Sequence, residues 1–465
     1  MDGELVLLKI KRPRSLLRKM EVRVRLQGLE LEQNISTSDS AVLGENEIKR
    51  IPSGFVAAHS VQCLFGTKLR LTESRTLLFI IKNCLLRSTV AYVDLIWAGM
   101  SNSKKHKKYR KRQKRSRSNM STPKLKTAII TGANSGVGFG IAQRLLDHSE
   151  RNPDEPIRII LACRNQERAI RARDTLLTKY PNGDIVVTLV DTSSVRSVFE
   201  FCNGIKKKYK KIDLLFCNAG ILSCDFIDWS IVARQVFTDQ IALLTETQCI
   251  VQPVGKLTSE EIGETFATNL FGHYVMIREL VDLLAVSGES KVIWTSSLTC
   301  RRSDYDPKDF QGCQSKSPYE SSKYAIDIIA IAMNDFLNRR NIKSFTTHPG
   351  VVATNIVRSH MPWIMGKVME NLFYVARTVG LSMTTGTGWN GSYANYYVAV
   401  TPSDELDASV KYGSFIKPWG TVYVRKDDVD KYDEGEAKSL LQNLNDLFER
   451  FQKKKKGIDY NANGH

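Results

Sequence analysis

From Lys124 onward, short apolar runs alternate with segments whose apolar residues recur every three or four positions. KLKTAIITG, 124–132, has strand length and closes on glycine; FGIAQRLLDHS after it has the spacing of an amphipathic helix. IRIILACRN, 157–165, repeats the strand pattern and QERAIRARDTLLTKY the helical one. DIVVTLVDTS then precedes a helix over 194–210, and IDLLFCNAG forms a fourth strand. A helix over 258–286 leads to SKVIWTSS, and a helix over 318–340 leads to IKSFTTHPG. Continuous rather than alternating apolar strands, each followed by a helix, predict a parallel sheet covered on both faces. The expected fold is a doubly wound α/β sheet of the Rossmann, dinucleotide-binding kind.

The first 120 residues read differently. They show no clear periodicity and are expected to form a largely irregular, poorly ordered basic extension. Their most apolar piece, 76–100, is broken by Lys82, Arg87 and Asp94 and falls short of a membrane span. The run KKHKKYRKRQKRSRS, 104–118, is a block of like charge expected to be disordered. Residues 1–120 hold 25 Lys/Arg against 10 Asp/Glu, so +15 of the chain's +18 belongs to them and about +3 to the rest. The nearly neutral body, without a zinc motif or recognition helix, argues against specific nucleic-acid binding. A run such as 104–118 also suits a nuclear-localisation signal or an anionic lipid surface. A start at Met120 would leave a compact enzyme, so the extension is expected to be dispensable for chemistry. Nine scattered cysteines, with no C-x-x-C or metal-like spacing, point to a reducing compartment and no metal.

TGANSGVG joins the first strand to the first helix. Gly132, Ser135, Gly136, Val137 and Gly138 form a loop of small residues where backbone approaches a pyrophosphate and the helix N-terminus offers amide donors. An acidic residue closing the second strand would select NAD; Arg164 and Asn165 stand there instead. Arg164 suits a ribose 2′-phosphate, so NADPH is the expected cofactor. Asp191 and Thr192 end the third strand, where a carboxylate reaches the adenine amine, and Asn218, Ala219 and Gly220 end the fourth. PYESSKYA places Tyr319 and Lys323 four apart, on one helical face. A phenol beside an ammonium is a candidate general acid or base for carbonyl chemistry, with its pKa lowered by the cation.

With the glycine loop, NAG, the serine pair of VIWTSS and Y-x-x-x-K, residues 124–430 resemble a short-chain dehydrogenase/reductase. The resemblance implies that Asn269 in FATNLFGH supports a water on the proton path. It implies that Ser297, rather than its neighbour Ser296, holds the substrate carbonyl. Tyr319 would donate the proton, Lys323 would hold the ribose and lower the phenol's pKa, and Thr354 in HPGVVATN would contact the nicotinamide carboxamide. Ser297 and Tyr319 stand 22 residues apart, more than is usual in the family, with a polar, loop-like insertion between them.

ACRN, the long segment after NAG, VIWTSS, DFQ and PYESSKYA are similar to the 3-keto-steroid reductases of sterol biosynthesis. That likeness implies NADPH-dependent reduction of a 3-oxosterol to a 3β-hydroxysterol after removal of a C4 methyl group. It also implies a place at the cytosolic face of the endoplasmic reticulum membrane or on lipid droplets, in contact with a sterol C4-demethylase complex. Two rival readings share these motifs: a reductase of other lipid or retinoid carbonyls, and a scaffold subunit of such a complex.

The expected body is 121–430. Within it, 361–383 carries Met361, Ile364, Met365, Val368, Leu372, Val375 and Val379 at helical spacing, as a lid or membrane-contacting helix. Residues 431–465 read as an amphipathic helix and tail, either packed on its own domain or free to meet a partner or an acidic membrane surface.

Overall fold

The computed structural model describes residues 9–11, 19–26, 29–36, 125–239, 242, 246–352, 377 and 380–462. The chain divides into two units, 1–85 and 86–465. In the first, β1 (Lys9–Lys11), β2 (Lys19–Leu26) and β3 (Leu29–Ser36) form an antiparallel sheet in that order. The sequence reading placed no element here. Apolar residues at every second position, Met20, Val22, Val24 and Leu26, were the overlooked strand signal. The stretches 76–100 and 104–118 lie outside the described residues, as does nearly all of 361–383.

The second unit contains β4 (Lys126–Thr131), β5 (Ile157–Cys163), β6 (Ile185–Leu189), β7 (Leu214–Cys217), the short hairpin strands β8 (Phe226–Ile227) and β9 (Ile250–Val251), β10 (Ser290–Thr295), β11 (Ile342–His348), β12 (Val410–Ile416) and β13 (Val422–Asp428). Eight of these form one sheet in the order β13-β12-β11-β10-β7-β4-β5-β6. All neighbours are parallel except β12 and β13. The six strands anticipated from sequence are all present. β12 and β13 were not anticipated.

The chain order reverses between β4 and β7. Successive strands run outward from β4 through β5 to β6, then return through β7, β10 and β11 on the other side. A crevice opens at the carboxyl ends of the strands at such a switch point.

Both faces are covered. On one lie α1 (Gly136–Arg151) and α2 (Gln166–Lys179), whose Ile141, Leu145, Ala169 and Leu176 pack on Ile130, Ile159 and Phe216. On the other lies α3 (Val195–Lys208). The hairpin region adds α4 (Trp229–Thr238). The helix expected over 258–286 begins only at Glu264, turns once in π geometry over Ala267–Phe271, and continues as α5 (Gly272–Ala285). Its expected first turn is absent because Glu261 takes φ +60° and the Glu260 carboxylate accepts from the amides of Val195 and Arg196 at the start of α3. Capping a neighbouring helix replaces extending its own.

The helix expected over 318–340 is α6 (Pro318–Ala332) followed by the short α7 (Asn334–Asn338). Asn334 at the junction donates to Ala330 O and Ser344 O and accepts from Ser344 N, so the break is also a tie to β11. After β11 come α8 (Gly388–Gly391) and α9 (Tyr393–Val400), and the chain closes with α10 (Glu434–Ala462).

α10 settles on its own domain. Leu440, Leu444, Phe448 and Phe451 recur at helical spacing and are buried with α3, α5 and α6. Phe448 meets Phe199 and Tyr274, each with ring centroids 6.4 Å apart. Leu444 is fully buried. Leu444→Ala is expected to lower unfolding stability by about 2–5 kcal/mol, read from urea denaturation curves.

Candidate active site

The loop after β4 is shaped by what a side chain would obstruct. Gly132 takes φ +66° and Gly136 φ +56°, conformations costly for other residues. A Cβ on Gly138 would stand 2.5 Å from Gly132 O and 2.6 Å from Asn218 Nδ2. Ser135 precedes α1 in an extended conformation, is exposed, and makes no side-chain cap; the first turn holds no acidic residue. The amides at the start of α1 are therefore open to an anion. Val137 is buried and anchors the turn. Beneath the loop, burial pushes the Cys163 thiol up to about 11, against hydrogen bonds from the Ala133 and Asn134 amides.

β4 and β7 meet at one hydroxyl. Thr131 Oγ1 accepts from Asn218 N at 2.8 Å and Ala219 N at 2.9 Å, and Asn218 Nδ2 donates to Thr131 O at 2.9 Å. It also lies 3.0 Å from Phe216 O and 2.9 Å from His273 Nε2. Burial pulls His273 down to about 4, so the ring is neutral at ordinary pH. Its Nδ1 is 3.0 Å from Asn269 O, an acceptor, so Nδ1 carries the proton and the bare Nε2 shares the single Thr131 hydroxyl proton with Phe216 O. The sequence reading missed His273. It lies four residues after Asn269 in a helix, where a lone histidine carries no distinguishing signal.

At the end of β6, Asp191 accepts from the Ser193 amide and hydroxyl, and Thr192 is buried. Asn165 caps α2 by accepting from Arg168 N at 2.9 Å. Arg164 is exposed and lies 3.9 Å from Asp191. Beside the glycine loop is a cleft of about 510 Å³ lined by Asn134, Ser135, Gly136, Phe139, Arg168 and Arg171. Arg168 and Arg171 lie in the first two turns of α2, just after Arg164, and the sequence reading named neither.

Asn269 lies within the π turn and is almost fully buried. Its amide oxygen accepts from Ile221 N at 2.8 Å; its amide nitrogen donates to Ile221 O and Ser322 Oγ. The side chain thus ties the loop after NAG to α6. A Cβ on Gly220 would meet both Asn269 Oδ1, at 3.1 Å, and Lys323 Nζ, at 3.4 Å, so loop, asparagine and lysine converge. Lys323 is buried and donates to Thr295 O at 2.8 Å. Burial pulls its ammonium down to about 8, with Cys300 and Asp327 opposing the fall.

Tyr319 lies beside Lys323, whose Nζ is 5.7 Å from the ring centroid. The phenol departs from expectation. Burial raises its pKa above the ordinary value, a hydrogen bond with Ser297 is the opposing influence, and the neighbouring carboxylate of Glu320 pushes the same way as burial. The expected lowering by Lys323 does not appear, because desolvation outweighs a cation whose proton is directed at Thr295 O. A protonated phenol is the form that can donate. Ser297 is partly exposed, its Oγ 3.0 Å from Thr299 Oγ1 and accepting from Thr299 N at 3.2 Å while it opposes the rise of the Tyr319 phenol, whereas Ser296 is buried and donates to Lys323 O at 3.1 Å. Thr354 lies outside the described residues.

The segment after NAG also grips the start of α6. Gln252 Oε1 accepts from Tyr319 N at 2.9 Å, while Gln252 Nε2 donates to Glu320 at 2.7 Å. Thr247 donates to the same carboxylate. These partners lie 67 or more residues apart along the chain, so sequence spacing carried no sign of them.

Residues 126–364 match the short chain dehydrogenase family. The chain belongs to that family. A short chain dehydrogenase binds a nicotinamide dinucleotide, and the uncapped start of α1 with the tight Gly132–Gly138 approach fits one. The chain is similar to the 3-keto-steroid reductase/17-beta-hydroxysteroid dehydrogenase 7 of Rattus norvegicus, 32% identical over 324 residues, covering 69% of this chain and 95% of that protein. It is also similar to the 3-keto-steroid reductase erg27 of Schizosaccharomyces pombe, 29% identical over 334 residues, covering 71% and 98% respectively. Among the described residues no helix is long and apolar enough to cross a membrane.

Two outcomes follow for this dehydrogenase. Gly138→Ala is expected to weaken dinucleotide binding at least about tenfold by fluorescence titration, because the added methyl group meets backbone that cannot yield. Lys323 is charged below about 8 and neutral above it. Dinucleotide affinity should therefore fall as pH rises through about 8, and the fall should vanish in Lys323→Met.

Proposed function

We propose that this short chain dehydrogenase reduces a 3-oxosterol to the 3β-hydroxysterol with NADPH. The observation that carries the reading is the convergence of the Ser297 hydroxyl, the protonated Tyr319 phenol and the Lys323 ammonium beside the glycine loop at the switch point. The sterol class is supported by the 3-keto-steroid reductases to which the chain is similar. NADPH is supported by Arg164 at the end of β5 and by Arg168 and Arg171 along the cleft. Guanidinium groups there suit a 2′-phosphate better than a ribose hydroxyl.

The substrate carbonyl lies between Ser297 and Tyr319. Both hydroxyls are donors already in place where negative charge develops on oxygen, which lowers the barrier without reorganisation. When bound, the dinucleotide supplies the hydride. Tyr319 passes its proton to the nascent alkoxide, and its raised pKa keeps that proton available across neutral pH. Lys323 would hold the ribose and sets positive charge behind the phenol. Asn269 keeps the loop after NAG, α6 and Lys323 in register for a water-fed proton path. Thr354 would hold the nicotinamide carboxamide. The reaction follows removal of a C4 methyl group, at the endoplasmic reticulum membrane and in contact with a C4-demethylase complex.

The test is NADPH oxidation by the full chain with the 3-oxosterol cholestanone in detergent, beside NADH and retinal arms. Tyr319→Phe should lower kcat at least about 100-fold while NADPH binding survives. Arg164→Glu should raise the KM for NADPH and leave that for NADH unchanged. Wild-type turnover by Tyr319→Phe would sink the reading, and retinal reduction outpacing cholestanone would replace the sterol with another lipid carbonyl.

A further inference from the structure

Behind Ser297 lies a buried ionic cluster that the reaction as described does not use. Lys411 on β12 donates to Asp327 Oδ2 at 2.6 Å, to Ser297 O at 3.1 Å and to Cys300 Sγ at 3.4 Å, using all three ammonium protons. Cys300 Sγ is 3.1 Å from Asp327 Oδ2 and 3.2 Å from Ser297 O. Asp327 is one turn beyond Lys323 on α6. All three side chains are at least nine-tenths buried. The cluster therefore joins β12, the helix bearing Tyr319 and Lys323, and the turn bearing Ser297.

Stability does not account for it. Two charges removed from water lose about as much solvation as their attraction returns, and a well-packed apolar pair commonly does as well or better. Asp327 Oδ1 adds to that cost, since it meets no donor among the described residues. Desolvation pulls the Lys411 ammonium down, yet Asp327 and Cys300 carry it above its ordinary value, so it stays charged. An apolar pair could fill the space but could not hold the Ser297 carbonyl. That carbonyl fixes the backbone from which the Ser297 hydroxyl reaches Tyr319, and a hydroxyl displaced by about 1 Å can cost on the order of 100-fold in rate.

We propose that Lys411 and Asp327 are positioning residues that lock the Ser297 turn against α6, setting the distance between the Ser297 hydroxyl and the Tyr319 phenol. The proposal rests on the reading of Ser297 as the carbonyl-holding residue. The test is a double-mutant cycle in the full chain, with cholestanone and NADPH as probes. It combines the apolar pair Lys411→Met/Asp327→Leu with Ser297→Ala.

The apolar pair is expected to keep its melting temperature and its NADPH dissociation constant, while kcat falls roughly 10- to 100-fold. In the Ser297→Ala background the same pair should cost less than about twofold, because the group it positions is gone. Should the apolar pair fail to fold, Lys411→Met/Asp327→Asn removes the donor to Ser297 O while keeping a polar neighbour for Cys300, and carries the same cycle. A folded pair variant with wild-type kcat, or an undiminished loss in the Ser297→Ala background, overturns the proposal. Wild-type turnover by Ser297→Ala alone overturns instead the reading on which it rests.

Discussion

One hydroxyl closes the floor of the crevice. At a switch point two neighbouring strands send their connections in opposite directions, and the ladder between β4 and β7 stops at Ile130 and Phe216, before the loops that follow them. Thr131 supplies the link beyond that point, taking two amides from the loop after β7 and facing His273 from α5. His273 in turn binds the carbonyl of Asn269, whose side chain binds the NAG loop and α6. The glycine loop and α6 are thus joined by an unbroken chain of hydrogen bonds. Each member is costly to bury alone and inexpensive to bury bonded, which makes the arrangement all-or-none.

What was legible in the sequence was local. Gly132, Gly136 and Gly138 stood out because backbone sterics leave few alternatives at a strand–helix turn, and Tyr319 and Lys323 because one helical turn brings them together. Strands β4 to β7, β10 and β11 declared themselves as apolar runs. What escaped depended on partners far along the chain. Gln252 meets Tyr319 from 67 residues away and Lys411 meets Asp327 from 84. Neither glutamine nor lysine looks unusual until the fold delivers it. The late start of the helix at Glu264 has the same origin, since Glu260 is drawn off to cap α3.

The tyrosine shows why pairwise reasoning is incomplete. A neighbouring lysine predicts a lowered phenol pKa, and that prediction omits the removal of water from both groups. Burial raises the one and lowers the other, so each moves toward its uncharged form. For an enzyme that must give a proton to an alkoxide, a phenol kept neutral is suited to the task. The same desolvation strengthens every donor aimed at the substrate oxygen.

The grip of Gln252 on the first turn of α6 has a consequence for how such an enzyme diversifies. The segment after NAG borders the crevice and is the natural place to alter which molecules are admitted. Here it also accepts the amide of Tyr319, the proposed proton donor, and anchors Glu320 beside it. Loop grafting would not be a modular edit in this protein. A transplanted segment without its glutamine would change the guest and detune the chemistry in one step, so selectivity and turnover are inherited together.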